Sequence, residues 1–506
     1  MNDLYLKYVE RFENLEWLKE HLCDQSIEEL FSLYVTCIQN GLFDSSILVL
    51  REMCKSAQNP ANKNMVIDLL NSEIFMHNDL GQVTKYFFDI IQPFLQEKFK
   101  KNSILFHLYG WLYGGAERAI SKVVNAISDE FFVMLVVFSP VKNTEYRLNS
   151  NIKFMEIKGE VNKVIRLYKL VCLLHPNIFV GNNNSIPEFL PIYEWLYEKS
   201  IKTIAYCHEY YFYMYKNNFL CNSASLKNHF LKKASAVIFL TDFSVNVYSL
   251  INDNGAKIPN ALSFENSRNK VPSKNPYRLI AVGRYFDLIK RVDLLLEVFA
   301  EILKKFPSAV LTIVGEYNMD LLIPERNCTV KELLELLKLD SETVNFVGRQ
   351  ANVESFYQEA DVLLLTSDNE GFPMVLVEAG MYGVPAVIVD IPGLDEIIID
   401  GKNGYVVPRD IKIMANKVVT LLSNNKLFQQ MSQTAQNYSR RYSITNIKQQ
   451  WISLLTQILT EDSQEQINEF LKSNYRKDIE DMEKFSRVVL SEYEASLDQI
   501  LNSQTF

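Results

Sequence analysis

The stretch DVLLLTSDNEGFPMVLVEAGMYGVPAVIVD (Asp361–Asp390) reads as strand, loop, helix and strand. Val362–Leu365 and Ala386–Val389 are short unbroken apolar runs, the pattern of strands buried on both faces. Gly371 and Pro373 interrupt the chain between them, and a helix starts near Met374. A helix between two buried strands carries the chain back to the edge it left, so the two strands run parallel.

The same alternation extends in both directions. RLIAVG, AVLTIVG, TVNFVG and GYVV are further strands, with VDLLLEVFAEILKKF, ESFYQEA and IMANKVVTLLS as helices. An earlier series begins at residue 102, with ILFHL, FFVMLVVF, IKFMEI, NIFVG, KTIAYCH and AVIFL separated by helix-sized segments. A polar stretch, Ile258–Tyr277, parts the two series and reads as a linker. The expected fold is therefore α/β, with two doubly wound Rossmann-like domains, residues 101–262 and 263–440. Ligands are expected outside the carboxyl ends of the strands, in a cleft where the two domains face each other. Residues 1–100 carry apolar residues only at helical spacing, so an all-α accessory region is expected there. A faint echo between Gly41-Leu42-Phe43-Asp44 and Asp79-Leu80-Gly81-Gln82 fits stacked helical hairpins, and a plain helical bundle fits as well. Such helices offer a surface for a protein partner or for self-association. In residues 441–506, TNIKQQWISLLTQILT reads as a helix, and a charged tail with further helices follows.

Composition narrows the function. At 506 residues the chain exceeds one core, and its net charge of -9 lacks the basic surplus of a nucleic-acid binder. The seven cysteines are scattered, with no C-x-x-C pair, which argues against a disulfide framework and against a zinc site. No signal-peptide pattern opens the chain and no apolar run reaches membrane-spanning length, so a cytoplasmic location is expected. Peripheral contact with the inner face of a membrane stays open, with Lys216, Lys227, Lys232 and Lys233 beside the aromatic run Tyr210–Tyr215 as its candidates.

In the loop after DVLLLTS, backbone N–H groups at the helix start near Met374 point beyond the strand end, where they suit an anion or hydroxyl oxygens. Glu370 sits in that loop and Glu378 one turn into the helix, two carboxylates able to accept from sugar hydroxyls. Read alone, the pair is far more often a capping carboxylate and a solvated helix residue. Gly283, Arg284 and Lys290 follow RLIAV, and Gly114 and Gly115 follow ILFHL and open a helix. No D-x-D triplet or cluster with metal-ligand spacing occurs, so neither a metal nor another cofactor is expected.

The segment EGFPMVLVEAGMYGVPAVIVDIPGLDEIIIDGKNGYVV (Glu370–Val407) resembles the donor-site signature of retaining glycosyltransferases of family 4. In that signature E-G-x-P and a second Glu precede G-x-x-E and D-G-x-N-G. V-G-R with a downstream Lys, at Val282, Gly283, Arg284 and Lys290, and G-G-A-E-R at Gly114–Arg118 are similar to further motifs of that family. The family's Lys is expected five residues after its Arg, whereas Lys290 stands six after Arg284, which leaves the choice between Lys290 and Arg291 open.

The resemblance implies the GT-B fold and metal-independent, retaining sugar transfer from a nucleotide diphosphate sugar to a glycan, lipid-linked or protein acceptor, as in surface polysaccharide synthesis. It implies that Arg284, Lys290 and the Gly114-Gly115 loop meet the diphosphate. His208 and Glu370 would orient the sugar, and Glu378 would hold the ribose. Gly348 and Arg349 would lie by the base, and Gly371, Phe372, Pro373 and Met374 would form the donor loop. Two rival readings remain: a catalytically silent GT-B subunit that stabilises a partner, and a sugar-nucleotide epimerase.

Overall fold

The computed structural model describes residues 25–39, 101–111, 114–138, 146–157, 163–182, 189–208, 227–262, 276–461 and 463–473, with a few single positions between 22 and 66. Most of the expected N-terminal helical region lies outside the described residues, where Ile27–Gln39 forms α1. The aromatic run, Lys216 and the tail beyond Ser473 also lie outside them.

The first sheet contains β1 (Ser103–Leu108), β2 (Phe132–Phe138), β3 (Lys153–Ile157), β4 (Ile178–Gly181), β5 (Lys202–Tyr206), β6 (Ala236–Phe239) and β7 (Gly255–Lys257). Its order is β3-β2-β1-β4-β5-β6-β7. The pairs within β3-β2-β1-β4-β5 are all parallel. Helices α2 (Gly115–Ile127), α3 (Lys163–Leu174), α4 (Ile192–Glu198) and α5 (Asp242–Tyr248) lie along this part of the chain. Every residue of β1 is buried, the polar Ser103 and His107 included.

The second sheet contains β8 (Arg278–Val282), β9 (Val310–Val314), β12 (Val344–Gly348), β13 (Val362–Leu365), β14 (Ala386–Val389) and β15 (Gly404–Val407). A small hairpin of β10 (Leu322–Ile323) and β11 (Cys328–Thr329) projects between β9 and β12 in the chain. The sheet order β12-β9-β8-β13-β14-β15 is the Rossmann order 3-2-1-4-5-6, and all its pairs are parallel. It carries α6 (Val292–Leu303), α7 (Val330–Leu336), α8 (Glu354–Glu359), α9 (Met374–Met381), α10 (Ile411–Ser423) and α11 (Asn425–Ser439). Two C-terminal helices follow, α12 (Ile444–Thr460) and α13 (Gln464–Ser473).

These elements fall into two compact units. The described residues of Met1–Cys207, Asn222–Val237 and Ser453–Asn474 form one, and those of His208–Cys221 and Ile238–Ile452 form the core of the other. In the first unit the Lys202 ammonium donates to the Ile458 carbonyl at 2.5 Å, which ties α12 to β5. In the second, Gly380 lets α9 lie against α11, since a Cβ there would fall 2.2 Å from Ser439 Oγ. The head of the expected linker is packed rather than loose. Ile258, Ala261 and Leu262 are buried, and the Leu262 N–H donates to the Tyr442 carbonyl at 2.7 Å. Residues 263–275 of that linker lie outside the described residues. Cys37, Cys172, Cys207 and Cys328 are buried free thiols. No helix among the described residues is long and apolar enough to cross a membrane.

His107 of β1 sits among aromatic rings, stacked on Phe189 at 5.3 Å and edge-on to Phe138 at 5.1 Å. Burial lowers its pKa to about 3, so the ring is neutral in the folded chain. In the unfolded chain it takes up a proton near pH 6.5. Stability is therefore intact above that pH and declines as the pH falls from 6.5 toward 3, because only the unfolded state binds the proton. His107→Phe keeps the aromatic packing and should flatten this decline by up to about one proton's worth of slope. Denaturant midpoints measured between pH 7.5 and 4 check it, and an unchanged slope would refute the assignment.

Candidate active site

The second sheet reverses its order between β8 and β13, and the candidate residues leave the carboxyl ends of these two neighbouring strands. After β8, the Gly283 N–H donates to the Val314 carbonyl at 2.9 Å and the Tyr285 N–H to the Glu316 carbonyl at 2.6 Å. The chain comes so close at this point that a Cβ on Gly315, whose φ is +131°, would lie 1.7 Å from the Gly283 carbonyl oxygen. Only glycine fits there.

A short 3-10 turn, Leu288–Lys290, then presents Lys290 to the loop after β13. Its Nζ lies 2.5 Å from Glu370 Oε1, and Ser367 Oγ donates to the same oxygen at 2.6 Å. The backbones are joined as well. The Asp368 N–H donates to the Ile289 carbonyl at 2.8 Å, and Thr366 Oγ1 donates to the carbonyls of Lys290 at 3.0 Å and Arg291 at 3.2 Å.

Arg291 takes a different part. Its φ of +48° is left-handed, and it turns its guanidinium onto Asp293 through two hydrogen bonds of 2.9 and 2.7 Å. It also reaches Glu325 at 2.8 Å and Asp368 at 3.6 Å, and Arg409 pairs with Asp368 from beyond β15. The Asp293 side chain is wholly buried. Burial alone would raise its pKa, but the Arg291 hydrogen bond and charge outweigh it and hold the carboxyl below the usual range. The two cations left as alternatives by the spacing thus have different partners: Lys290 faces Glu370, and Arg291 is paired with Asp293 and Glu325.

Glu378 lies in α9, a helix buried nearly all round, and is itself 1 % exposed. It is therefore no solvated helix residue. The buried Tyr357 hydroxyl of α8 donates to its Oε2 at 3.0 Å. Tyr285 is buried too. Its hydroxyl is held un-ionised chiefly by burial, reinforced by the nearness of Glu370 and Tyr357. Phe372 packs edge-on against Tyr442 at 5.2 Å, and Pro373 and Met374 are buried, so these three anchor the loop through their side chains. Gly371 is half-buried, and no side chain caps the start of α9 at Pro373.

Arg284 is exposed, with its guanidinium carbon 5.6 Å from the Phe286 ring centroid. Gly348 has a φ of +69° and its carbonyl accepts from the Gly315 N–H at 2.9 Å, while Arg349 is exposed. His208, two residues beyond β5, is partly exposed by area yet surrounded by enough protein that burial lowers its pKa to about 3. It is neutral at pH 7. In the first unit, Gly114 is the N-cap of α2, and the Glu117 carboxylate folds back beside it. The helix start thus already carries a negative group.

The later parts of the motif make contacts within the protein. Glu396 accepts the N–H groups of Asp242 and Phe243, each at 2.9 Å, and meets Lys257 at 3.2 Å. Asn403 is buried, accepting from the Ile399 N–H at 2.6 Å and donating to the Ile397 carbonyl at 2.8 Å. Among the described residues, no group of three or more His, Cys, Asp or Glu side chains is placed to hold a metal ion. Tyr357, Ser367 and Asp368 complete the site and were not singled out for chemistry by the sequence. Tyr357 lies in an ordinary helical pattern that carries no such signal.

Residues 263–438 match the family model for glycosyl transferases group 1. An uncharacterized glycosyltransferase of Haemophilus influenzae is 26% identical over 361 residues, covering 68% of this chain and 96% of its own. The poly(glycerol-phosphate) alpha-glucosyltransferase of Bacillus subtilis is 28% identical over 191 residues, covering 37% of this chain and 27% of its own. Among solved structures, Anabaena HepE in complex with UDP and glucose superposes with a TM-score of 0.56 at 19% identity, covering 70% of this chain and 99% of its own. The matched segment and the shared fold support a GT-B glycosyltransferase.

Separating the two neighbouring cations tests the geometry. Arg291→Ala strands the buried Asp293 carboxylate and should cost about 3 kcal/mol of stability. Lys290→Ala should cost clearly less, because Glu370 keeps its Ser367 hydrogen bond. Denaturation midpoints of both variants decide, and equal losses would contradict the division of roles.

Proposed function

We propose that the chain transfers a sugar from a nucleotide diphosphate sugar to a glycan, lipid-linked or protein acceptor, with retention of anomeric configuration and without a metal ion. The observation that carries this reading is the Lys290–Glu370 contact at the switch point of a Rossmann-ordered sheet, within the segment matched by the glycosyl transferases group 1 model.

The chemistry follows from charge. As the anomeric bond breaks, the leaving diphosphate gains negative charge, and preorganised cations and N–H groups lower the barrier if they stand where it develops. Lys290 and Arg284 supply the cations in this reading, and the uncapped start of α9 supplies amides. Lys290 exchanges its Glu370 partner for phosphate oxygen, which leaves the Glu370 carboxylate to accept from a sugar hydroxyl. Glu378 accepts from the ribose. His208, neutral at pH 7, orients the transferred sugar without adding a charge that would compete for the diphosphate. No side chain is assigned as a covalent nucleophile. The acceptor proton passes to the departing phosphate on the same face, which is how configuration is retained. The Bacillus subtilis relative acts, by its name, on poly(glycerol-phosphate), so surface polymers are the first acceptors to try. HepE is bound to UDP, so uridine diphosphate sugars are the first donors.

Donor turnover is measured with uridine and guanosine diphosphate sugars, with and without chelator. Turnover should survive the chelator, and magnetic resonance of the product should show the donor's anomeric configuration. Arg284→Ala should lower the rate by roughly a hundredfold, as for a lost transition-state donor, and Glu378→Ala should weaken donor binding. Near wild-type behaviour of both variants would sink the assignment, and release of an isomerised sugar without acceptor would favour an epimerase.

A further inference from the structure

The Tyr357 hydroxyl has no part in the chemistry above, yet its setting is more constrained than structural need requires. The ring is fully buried on α8, the helix before β13, while Glu378 is on α9, the helix after it. Their 3.0 Å hydrogen bond therefore links the two helices that flank the strand feeding the donor loop. Tyr357 is itself braced. Its ring stacks on Tyr382 at 6.1 Å with 17° between planes, and the Tyr382 hydroxyl donates to Glu354 Oε2 at 2.7 Å.

A carboxylate on an otherwise apolar buried helix is costly unless hydrogen-bonded. Apolar residues at both positions would remove that cost, so stability alone gives no reason to keep the pair. What a braced phenol adds is orientation. Two χ angles locked by packing leave its hydroxyl one direction, and the carboxylate that accepts from it takes one rotamer.

We propose that Tyr357 is a positioning residue for the nucleotide donor: its hydroxyl holds the Glu378 carboxylate in the orientation that accepts from the ribose diol. The proposal rests on the reading of Glu378 as the ribose-binding group. It assigns Tyr357 to donor affinity and to discrimination of ribose from deoxyribose, with no share in the transfer step.

Tyr357→Phe keeps the ring and its stacking and removes only the hydroxyl. In titration with UDP or GDP, whichever the wild type binds, the dissociation constant should rise about tenfold, the size of a hydrogen bond to a charged group. KM for the donor should rise in parallel while kcat stays within about twofold. The preference for the ribonucleotide over its 2′-deoxy counterpart should shrink, which a merely structural role for Tyr357 would leave unchanged. Tyr382→Phe, which removes the hydroxyl bound to Glu354, serves as the packing control and should bind as wild type. If Glu378→Gln loses binding while Tyr357→Phe retains both affinity and ribose preference, the inference fails and the reading of Glu378 survives. If Glu378→Gln binds as wild type, that reading falls and takes the inference with it.

Discussion

The contact between Lys290 and Glu370 is the constraint on which the rest of the second unit's site depends. Its two partners leave the ends of β8 and β13, adjacent strands with opposite directions of onward winding. Parallel strands that wind away from each other leave space above their carboxyl ends, and loops entering it have no neighbouring strand to rest on. Here they rest on each other. Thr366 and Asp368 bond the backbone of Ile289, Lys290 and Arg291, and Arg291 is moored in turn to a wholly buried Asp293. A lysine and a glutamate held at 2.5 Å, 21 % and 10 % exposed, keep their charge within reach of solvent while their backbones are fixed.

The parts of the fold that could be read from the sequence are those where burial acts on both faces. Continuous apolar runs such as ILFHL and AVIV have no other stable setting, so their strands, their parallel direction and the two-sheet plan follow directly. Some elements escaped for the opposite reason. Helix α11, NKLFQQMSQTAQNYS, buries Phe428, Met431 and Ala435 beside Ser432, Gln436 and Ser439, so its apolar stripe is thin. The β10–β11 hairpin is two residues per strand, too short for any alternation to show. The stretch after β7 read as a linker because its Pro and Asn are turn residues, yet Ile258–Leu262 is held by packing and a backbone hydrogen bond that no local pattern announces.

The site shows the same division. The place of Glu370, Lys290 and the loop after β13 was legible because a glycine–proline break directly after a buried strand marks the strand's carboxyl end, where a parallel sheet receives its ligands. The partners that orient them were not. Tyr357 and Glu378 are 21 residues apart and meet only because α8 and α9 flank one strand. At the one-residue offset that left Lys290 and Arg291 as alternatives, the left-handed φ of Arg291 turns consecutive side chains toward different neighbours. Within the resemblance itself, the late half makes contacts inside the protein: Glu396 binds the first N–H groups of α5, and Asn403 closes a turn upon itself.

The proposed roles account for the presence of a carboxylate inside α9. A helix that is apolar on every side is the interior of its unit, and a charge there costs folding energy unless the surroundings are arranged to receive it. The arrangement consists of a braced phenol on the preceding helix and a loop whose Phe372 is wedged against Tyr442. Rigid support of this kind is what a binding group requires, since affinity for a small polar ligand is lost once its partner can rotate away. The interior of the second unit therefore serves two ends at once: the packing that stabilises α8, β13 and α9 also sets the direction of Glu378, and a substitution that loosens one disturbs the other.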